Sequence, residues 1–534
     1  MKDISFKNMG QELWAADRGD GTYQNPILHG DYSDPDVIRV GEDYFLVASS
    51  FTYLPGVPLL QSKDLIHWNL INYCVKEIPY QRYEVPMHGC GVWAPSIRYY
   101  GGEFFVFIPM PDEGIFVVKT RDPYQEWSKM HCLKEARGWI DPCPFWDDDG
   151  KAYMVFAYAN SRCGIKHRLS ICEMSQEGDR LLTEPVIIFD GLKTNPTIEG
   201  PKLYKRDGYY YIFAPAGGVE NGWQTVLRSK NIYGPYEYRI VMHQGNTRVN
   251  GPHQGGYIED LKGEGYFLHF QDKGPYGRIS HLQPVEWYEG WPFIGQEQNG
   301  DGIGEPVEQW MKPAGVKVET GVGIPVNDEF KSNELGMQWQ WQANPLKEWY
   351  SFTEREGYLS LHTIDNKHRN ENLLWYAPNA LTQLLQAPSF LVTTEVELVP
   401  TMEGDLCGMG MTGLCYSYIG ITYQDHLYYI VIYKGVVIEK EGAGKAEETL
   451  IWKKEVNSSK VLLRLNLNKN RQYTYSYSMD GNEFFEIEIE FTLTKGTWTG
   501  AKFALLAVNR NNKVSGGRGD YKYVRFEKGG EYVT

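Results

Sequence analysis

The sequence predicts an all-β chain, a five-bladed β-propeller followed by a β-sandwich. Three observations predict it. A three-part landmark recurs five times in the first half of the chain. The 534 residues include 38 Tyr, 16 Trp, 56 Gly and 28 Pro, and aromatics suit pleated strands while Gly and Pro suit tight turns. Beyond about residue 325, alternating strands continue without the landmark.

Each copy of the landmark opens with a proline-bearing run. These runs are Asp34-Pro35-Asp36, Ala94-Pro95-Ser96, Asp141-Pro142-Cys143, Glu199-Gly200-Pro201 and Gly251-Pro252-His253. An aromatic-rich strand follows each, at Tyr44, Phe104, Tyr153, Tyr210 and Phe267, at intervals of 60, 49, 57 and 57 residues. Several copies add a third element ending in an aromatic, such as Ser62-Lys63-Asp64 through Trp68. Period-two strands in five such units fit four-stranded blades around a channel.

The expected organisation is an N-terminal extension (1–22), a propeller (23–305), a Gly-rich linker (306–325) and a sandwich (326–534). The sandwich strands are read from Phe390–Val396, Tyr428–Tyr433 and Val461–Leu465. The formal charge of −15 argues against nucleic acid or an anionic membrane as a partner. No run approaches the ~20 apolar residues of a membrane helix. The first residues lack the apolar core of a secretory signal, so a cytoplasmic protein is expected. Eight cysteines without a CxxC pair read as free thiols. Arg518-Gly519-Asp520 and the sequon Asn457-Ser458-Ser459 read as chance matches.

The first residues of the proline runs carry the chemistry. Asp34, Asp141 and Glu199 open three runs, Trp93 stands beside the second and His253 closes the fifth. Taken singly, an Asp before Pro is a turn residue. Taken as repeat-equivalent positions, three carboxylates, a Trp and a His converge on one channel mouth. Crowded, partly buried carboxylates push their pKa values apart, and a split pair is what glycoside hydrolysis needs. Asp36 competes with Asp34 as a base, since alternation would put both on one strand face.

The chain resembles glycoside hydrolase family 43. The resemblance rests on Asn25-Pro26-Ile27-Leu28 with Asp31 through Asp36, and on Ser49-Ser50-Phe51 with Leu54-Pro55-Gly56-Val57. It continues in Trp93-Ala94-Pro95, Asp141-Pro142 and Glu199-Gly200-Pro201. The second half is similar to the β-sandwich (a concanavalin-like jelly roll) of the family's β-xylosidases, through Asp328-Glu329-Phe330 and Gln338-Trp339-Gln340-Trp341. The resemblance implies an inverting mechanism with Asp34 as general base, Glu199 as general acid and Asp141 as the residue that raises and orients Glu199. It implies Phe51 and Trp93 as sugar walls and Arg278 as a hydroxyl-binding cation near the base. His253 corresponds to a channel histidine that lies near a divalent ion in relatives. A structural calcium is therefore an expectation, although Gly251 through Gly256 departs from the family's usual form. No cofactor is required for the reaction. Trp498, in Gly496-Thr497-Trp498-Thr499-Gly500, is either a plug over the mouth or a sandwich core residue.

Together these readings give an exo-acting glycosidase releasing terminal β-D-xylose from xylo-oligosaccharides. α-L-Arabinofuranose from arabinoxylo-oligosaccharides is the alternative, and a homo-oligomer is compatible with either. A non-catalytic sugar-binding propeller would tolerate loss of a carboxylate, yet all three are present. A retaining fructosidase would need an Asn-Gly context around the Asp, which this sequence lacks.

Overall fold

The computed structural model describes residues 13–316, 323–364 and 372–529. Parts of the expected N-terminal extension (1–12) and linker (317–322) lie outside the described residues. Five four-stranded antiparallel sheets follow one another along the chain, at 36–75, 96–135, 139–190, 202–242 and 253–294. Each is one blade, in simple up-and-down order. The proline runs lead into the innermost strands Asp36–Val40, Ser96–Tyr100, Trp139–Trp146, Lys202–Arg206 and His253–Glu259. The aromatic runs form the second strands, such as Asp43–Val47 and Tyr209–Ala216.

Alternation explains the packing. Apolar residues on the inner strands of one blade meet their counterparts on the next. Val47, Leu59, Ile97, Val106 and Phe116 form one such inter-blade core. Ile140, Val155, Leu203 and Ile212 form another. Burial of these side chains is the main stabilising term between blades.

No blade mixes strands from both ends of the propeller; a polar stitch closes the ring instead. The segment before blade one runs along the third strand of blade five. Ile27 N–H donates to Ser280 O (2.8 Å), and Ser280 N–H donates back to Leu28 O (3.1 Å). The Asn25 side-chain amide donates to Leu282 O (2.8 Å) and Val307 O (2.9 Å), and its oxygen accepts Leu282 N–H (2.9 Å). Outside this, Thr22–Gln24 pairs antiparallel with Gln309–Met311, which ties the chain leaving the propeller to the chain entering it.

The second domain packs two seven-stranded antiparallel sheets face to face. Val392, Leu463, Phe503 and Ile419 are among its core residues. It docks on blade one by a backbone exchange between Leu54 and Trp341. A second exchange joins His88 to Gly442, with the His88 ring stacked 3.5 Å from that of Trp375. Among the described residues, no helix is long and apolar enough to cross a membrane, and all eight cysteines are free.

Asn25→Ala removes three partly buried hydrogen bonds from the closure, each worth roughly 1 kcal/mol net. It is expected to destabilise the propeller by about 2–4 kcal/mol, read as a lowered urea midpoint. An unchanged midpoint would show that the stitch does not hold the ring.

Candidate active site

The site is built from one repeated backbone feature. The residue before the proline is left-handed in four blades: Asp34 (φ 54°), Asp141 (φ 55°), Gly200 (φ 58°) and Gly251 (φ 46°). Left-handed geometry is costly for a residue with a Cβ, by roughly 1–3 kcal/mol, and proline disfavours helical geometry in its predecessor. Blades four and five meet the demand with glycine. Blades one and three meet it with aspartate, and both aspartates are site residues. This corrects the expected equivalence of the three acids. Aligned on the proline, Gly200 matches Asp34 and Asp141, and Glu199 lies one residue earlier.

Asp34 is buried and heavily bonded. Its Oδ2 accepts Ser33 Oγ (2.8 Å), Ser49 Oγ (2.7 Å) and Arg278 NH1 (2.9 Å); its Oδ1 accepts only Arg278 NH1 (2.7 Å). Arg278 thus pairs with the carboxylate itself. Its guanidinium also lies 4.9 Å from the centre of the Phe270 ring.

Asp141 is 2% exposed and accepts Gly200 N–H on Oδ2 (2.8 Å). Burial first, then the adjacent Glu199 carboxylate, pushes its pKa up to about 7; Lys202 opposes the rise and Asp34 adds to it. Asp141 thus stands beside Glu199 with its own proton held tightly by burial. Glu199 has a side chain 29% exposed and accepts His253 Nε2–H on Oε1 (2.9 Å). His253, expected against the sugar or a metal, is instead buried and orients Glu199.

Three aromatics line the approach. The rings of Phe51 and Trp93 lie 6.3 Å apart, and those of Trp93 and Trp498 6.1 Å apart. Phe51 (φ 53°) and Trp498 (φ 63°) are also left-handed. Trp498 is 44% exposed, so it stands at the mouth and not in the sandwich core. A Cβ on Gly89 would strike Thr497 Cγ2 (2.6 Å) and approach Trp498 Cδ1 (3.0 Å), so the absence of a side chain there lets the sandwich loop descend. A cavity of about 350 Å³ lies between Gly217, Gly218, Asp272, Arg278, Thr497 and Trp498.

Asp36 does not share this mouth. Left-handed Asp34 precedes the regular strand, so period-two alternation does not extend back to it. Asp36 opens the strand, is fully buried, and accepts Arg98 NH1 (2.7 Å) and Ile97 N–H (2.9 Å) from blade two. It belongs to a buried set formed by the residue after each proline: Asp36, Ser96, Cys143, Lys202 and His253. Arg98 NH2 reaches Cys143 Sγ at 2.9 Å. Within this set Asp36 Oδ1, Ser96 Oγ and His253 Nδ1 are buried without a hydrogen-bond partner, beside the Lys202 side chain; these few side-chain atoms fall short of the six to eight oxygen ligands that calcium takes. Among the described residues no three His, Cys, Asp or Glu side chains converge to hold a metal. His253 Nε2 is engaged by Glu199, and no step below runs through an ion.

Residues 23–292 match the model of glycosyl hydrolases family 43, and residues 327–527 match the beta xylosidase C-terminal concanavalin A-like domain. The chain belongs to family 43. A Xylanibacter ruminicola protein named "Putative beta-xylosidase" is 37% identical over 94% of this chain and 89% of its own length. A non-reducing end α-L-arabinofuranosidase of Bacteroides ovatus is 29% identical over 74% of this chain and 75% of its own. A crystal structure of a family 43 protein from Bacillus licheniformis superposes with a TM-score of 0.80 at 26% identity, covering 95% of this chain and 99% of that one. The protein is accordingly a glycoside hydrolase of family 43, with the propeller and concanavalin-like sandwich expected from its sequence.

Within this family 43 site, several residues escaped the sequence reading. Ser33 and Ser49 stand inside quoted motifs, yet a serine signals no particular partner. Lys202 directly follows Pro201, the place Asp36 and His253 hold in their runs, so the repeat marked its position, whereas Arg98 stands two residues further along its strand. Their charge balance became visible only with the neighbouring blades in place.

Asp141 holds its proton more tightly folded than unfolded, because its folded pKa of about 7 exceeds the ordinary 3.8. Between these values the folded state binds more protons, so wild-type stability falls as pH rises from 4 to 7. Asp141→Asn removes that loss. Its stabilisation relative to wild type should be on the order of 4 kcal/mol larger at pH 8 than at pH 4, measured by denaturant unfolding at both pH values. A pH-independent difference would contradict the shift.

Proposed function

We propose that this protein is an exo-acting β-xylosidase that releases terminal β-D-xylose from xylo-oligosaccharides with inversion. One observation carries the reading: an ion-paired carboxylate, Asp34, shares a partly closed mouth with the Glu199 carboxyl and with Asp141, whose proton burial retains. Relatives named β-xylosidase, from Xylanibacter ruminicola and Formosa agariphila, support the sugar.

Asp34 acts as the base through Oδ1. Its Oδ2 already accepts three donors and Oδ1 only one, so the free lone pair of the carboxylate is on Oδ1. That atom takes a proton from water as the water oxygen attacks the anomeric carbon. The bond to the leaving oxygen breaks as Glu199 delivers its proton there. Burial keeps a proton on Asp141 near neutral pH, so Asp141 adds no second negative charge beside the Glu199 carboxyl. His253 holds Glu199 toward the bond. Attack opposite to departure inverts the anomeric centre, given the wider carboxyl separation of inverting enzymes, roughly 6.5–9.5 Å.

Trp498, Trp93 and Phe51 narrow the mouth so that a chain end enters and a polymer interior does not. Release of terminal α-L-arabinofuranose is the second reading, favoured by the Bacteroides ovatus relative.

Paired initial rates on aryl β-D-xylopyranoside and aryl α-L-arabinofuranoside decide between them; a dominant arabinofuranoside rate makes the second reading correct. Asp34→Ala should nearly abolish both. Glu199→Ala should lower turnover of xylobiose roughly 10²–10⁴-fold but cost far less with a nitrophenolate leaving group, which needs no proton. Equal losses would remove Glu199 from the acid role. Proton NMR in the first minutes should show α-xylose from a β-xyloside; β-xylose as the first product would overturn inversion.

A further inference from the structure

We propose that Asp31 is a positioning residue that seats the catalytic base and the Trp498 loop together, so that the sandwich domain takes part in aligning the reaction centre. The inference rests on Asp34 being the base and adds a residue to that reading.

Asp31 lies three residues before Asp34, in the segment entering blade one, and is buried. Its two oxygens face two domains. Oδ1 accepts the Arg278 N–H of the propeller (2.7 Å), and Oδ2 accepts the Gly500 N–H of the sandwich (2.7 Å). The first bond fixes the backbone of the residue whose guanidinium holds Asp34. The second fixes the loop two residues beyond Trp498. Charge-assisted bonds of this kind are among the stronger ones.

The surroundings admit little slack. A Cβ on Gly277 would collide with the Asp31 carboxyl, and a Cβ on Gly500 would meet Gly277 N at 2.6 Å. Ala501 N–H donates to Pro275 O (2.7 Å), which zips the two loops beside the carboxylate. The neighbouring Lys502 is buried, with Nζ 4.2 Å from the Tyr53 ring centre. Burial lowers its pKa to about 8 and Asp31 opposes the fall. Burial likewise raises Asp31, while Lys502 and the two N–H groups lower it. Two buried opposite charges without a direct ion pair are weak evidence of stability. The geometric consequence is that the carboxylate is held between two loops that must arrive together.

The competing account is that Asp31 is merely structural, a counter-ion for Lys502. Asp31→Asn keeps the shape but presents an amide N–H to one of the two donors, and it strands Lys502. Asp31→Asn/Lys502→Met removes the stranded charge as well. Steady-state kinetics on nitrophenyl β-xyloside isolates the base, because that leaving group needs no acid. Both variants are expected to lose kcat roughly 10- to 100-fold, as a misplacement near 1 Å does, with the melting temperature of the double variant near wild type. Recovery of wild-type kcat in the double variant would overturn the proposal, since the loss would then come from the stranded ammonium.

A second measurement covers the loop. Trp498→Ala should raise KM, and adding Asp31→Asn to it should raise KM no further while still lowering kcat. Fully additive KM effects would overturn the coupling, because independent sites add. Asp34→Ala separates the two levels of the argument. If it retains activity, the base assignment fails; if it is inactive while Asp31→Asn keeps wild-type kcat and KM, only the positioning role fails. Where Asp31→Asn alone does not fold, the double variant carries the test.

Discussion

A left-handed residue in front of a proline, repeated around a ring, is the constraint from which the site follows. In four of the five blades the chain reverses at this residue as it enters or bends the innermost strand. The reversal needs a positive φ, which glycine adopts freely and aspartate adopts under strain. Blades four and five place Gly200 and Gly251 there; blades one and three place Asp34 and Asp141. Inter-blade cores and the closing stitch at Asn25 hold the ring rigid enough to impose that conformation. The strain puts two short carboxylates at the rim, while the residues just after the prolines point below it. Glu199, with a longer side chain, reaches the rim from one position earlier.

The same geometry divides the charges. Four carboxylates and a buried cation set cannot share a low-dielectric channel unless each is assigned a partner. Asp34 takes Arg278 and two serine hydroxyls. Asp36 takes Arg98. Asp141 has only Gly200 N–H and a share of Lys202, and it lies beside Glu199, so a proton is retained there. Asp141 keeps its proton because burial is not offset by a directly paired cation.

The sequence made the repeat readable because its landmarks are local: a proline, an aromatic strand, a turn. Each is visible within ten residues and recurs at blade spacing. For the same reason Asp34, Asp141 and Glu199 could be gathered at one mouth although they lie far apart in the chain. What local pattern could not supply was register across blades. Alternation placed Asp36 beside Asp34, but alternation holds only inside a strand, and the strand begins at Asp36. The single inserted residue at Glu199-Gly200-Pro201 was invisible until Gly200 took the backbone role of the aspartates. His253 read as a ligand for sugar or metal, since nothing in Gly251-Pro252-His253 reveals that its ring meets Glu199 from the neighbouring blade. Trp498 was ambiguous because exposure is a property of two domains together.

That last point bears on why a sandwich should accompany a propeller. A five-bladed ring leaves its rim open, and water at an open rim would weaken the burial that raises Asp141. The sandwich loop covers part of the rim with Trp498, and Gly89 makes room for it. Because Asp31 binds that loop and the Arg278 backbone with its two oxygens, cover and counter-ion are set by one carboxylate. A change in either domain that moves this junction shifts both Trp498 and the Arg278 cation on Asp34. The two domains therefore cannot drift apart independently at this point, and the mouth is best understood as one structure assembled from both.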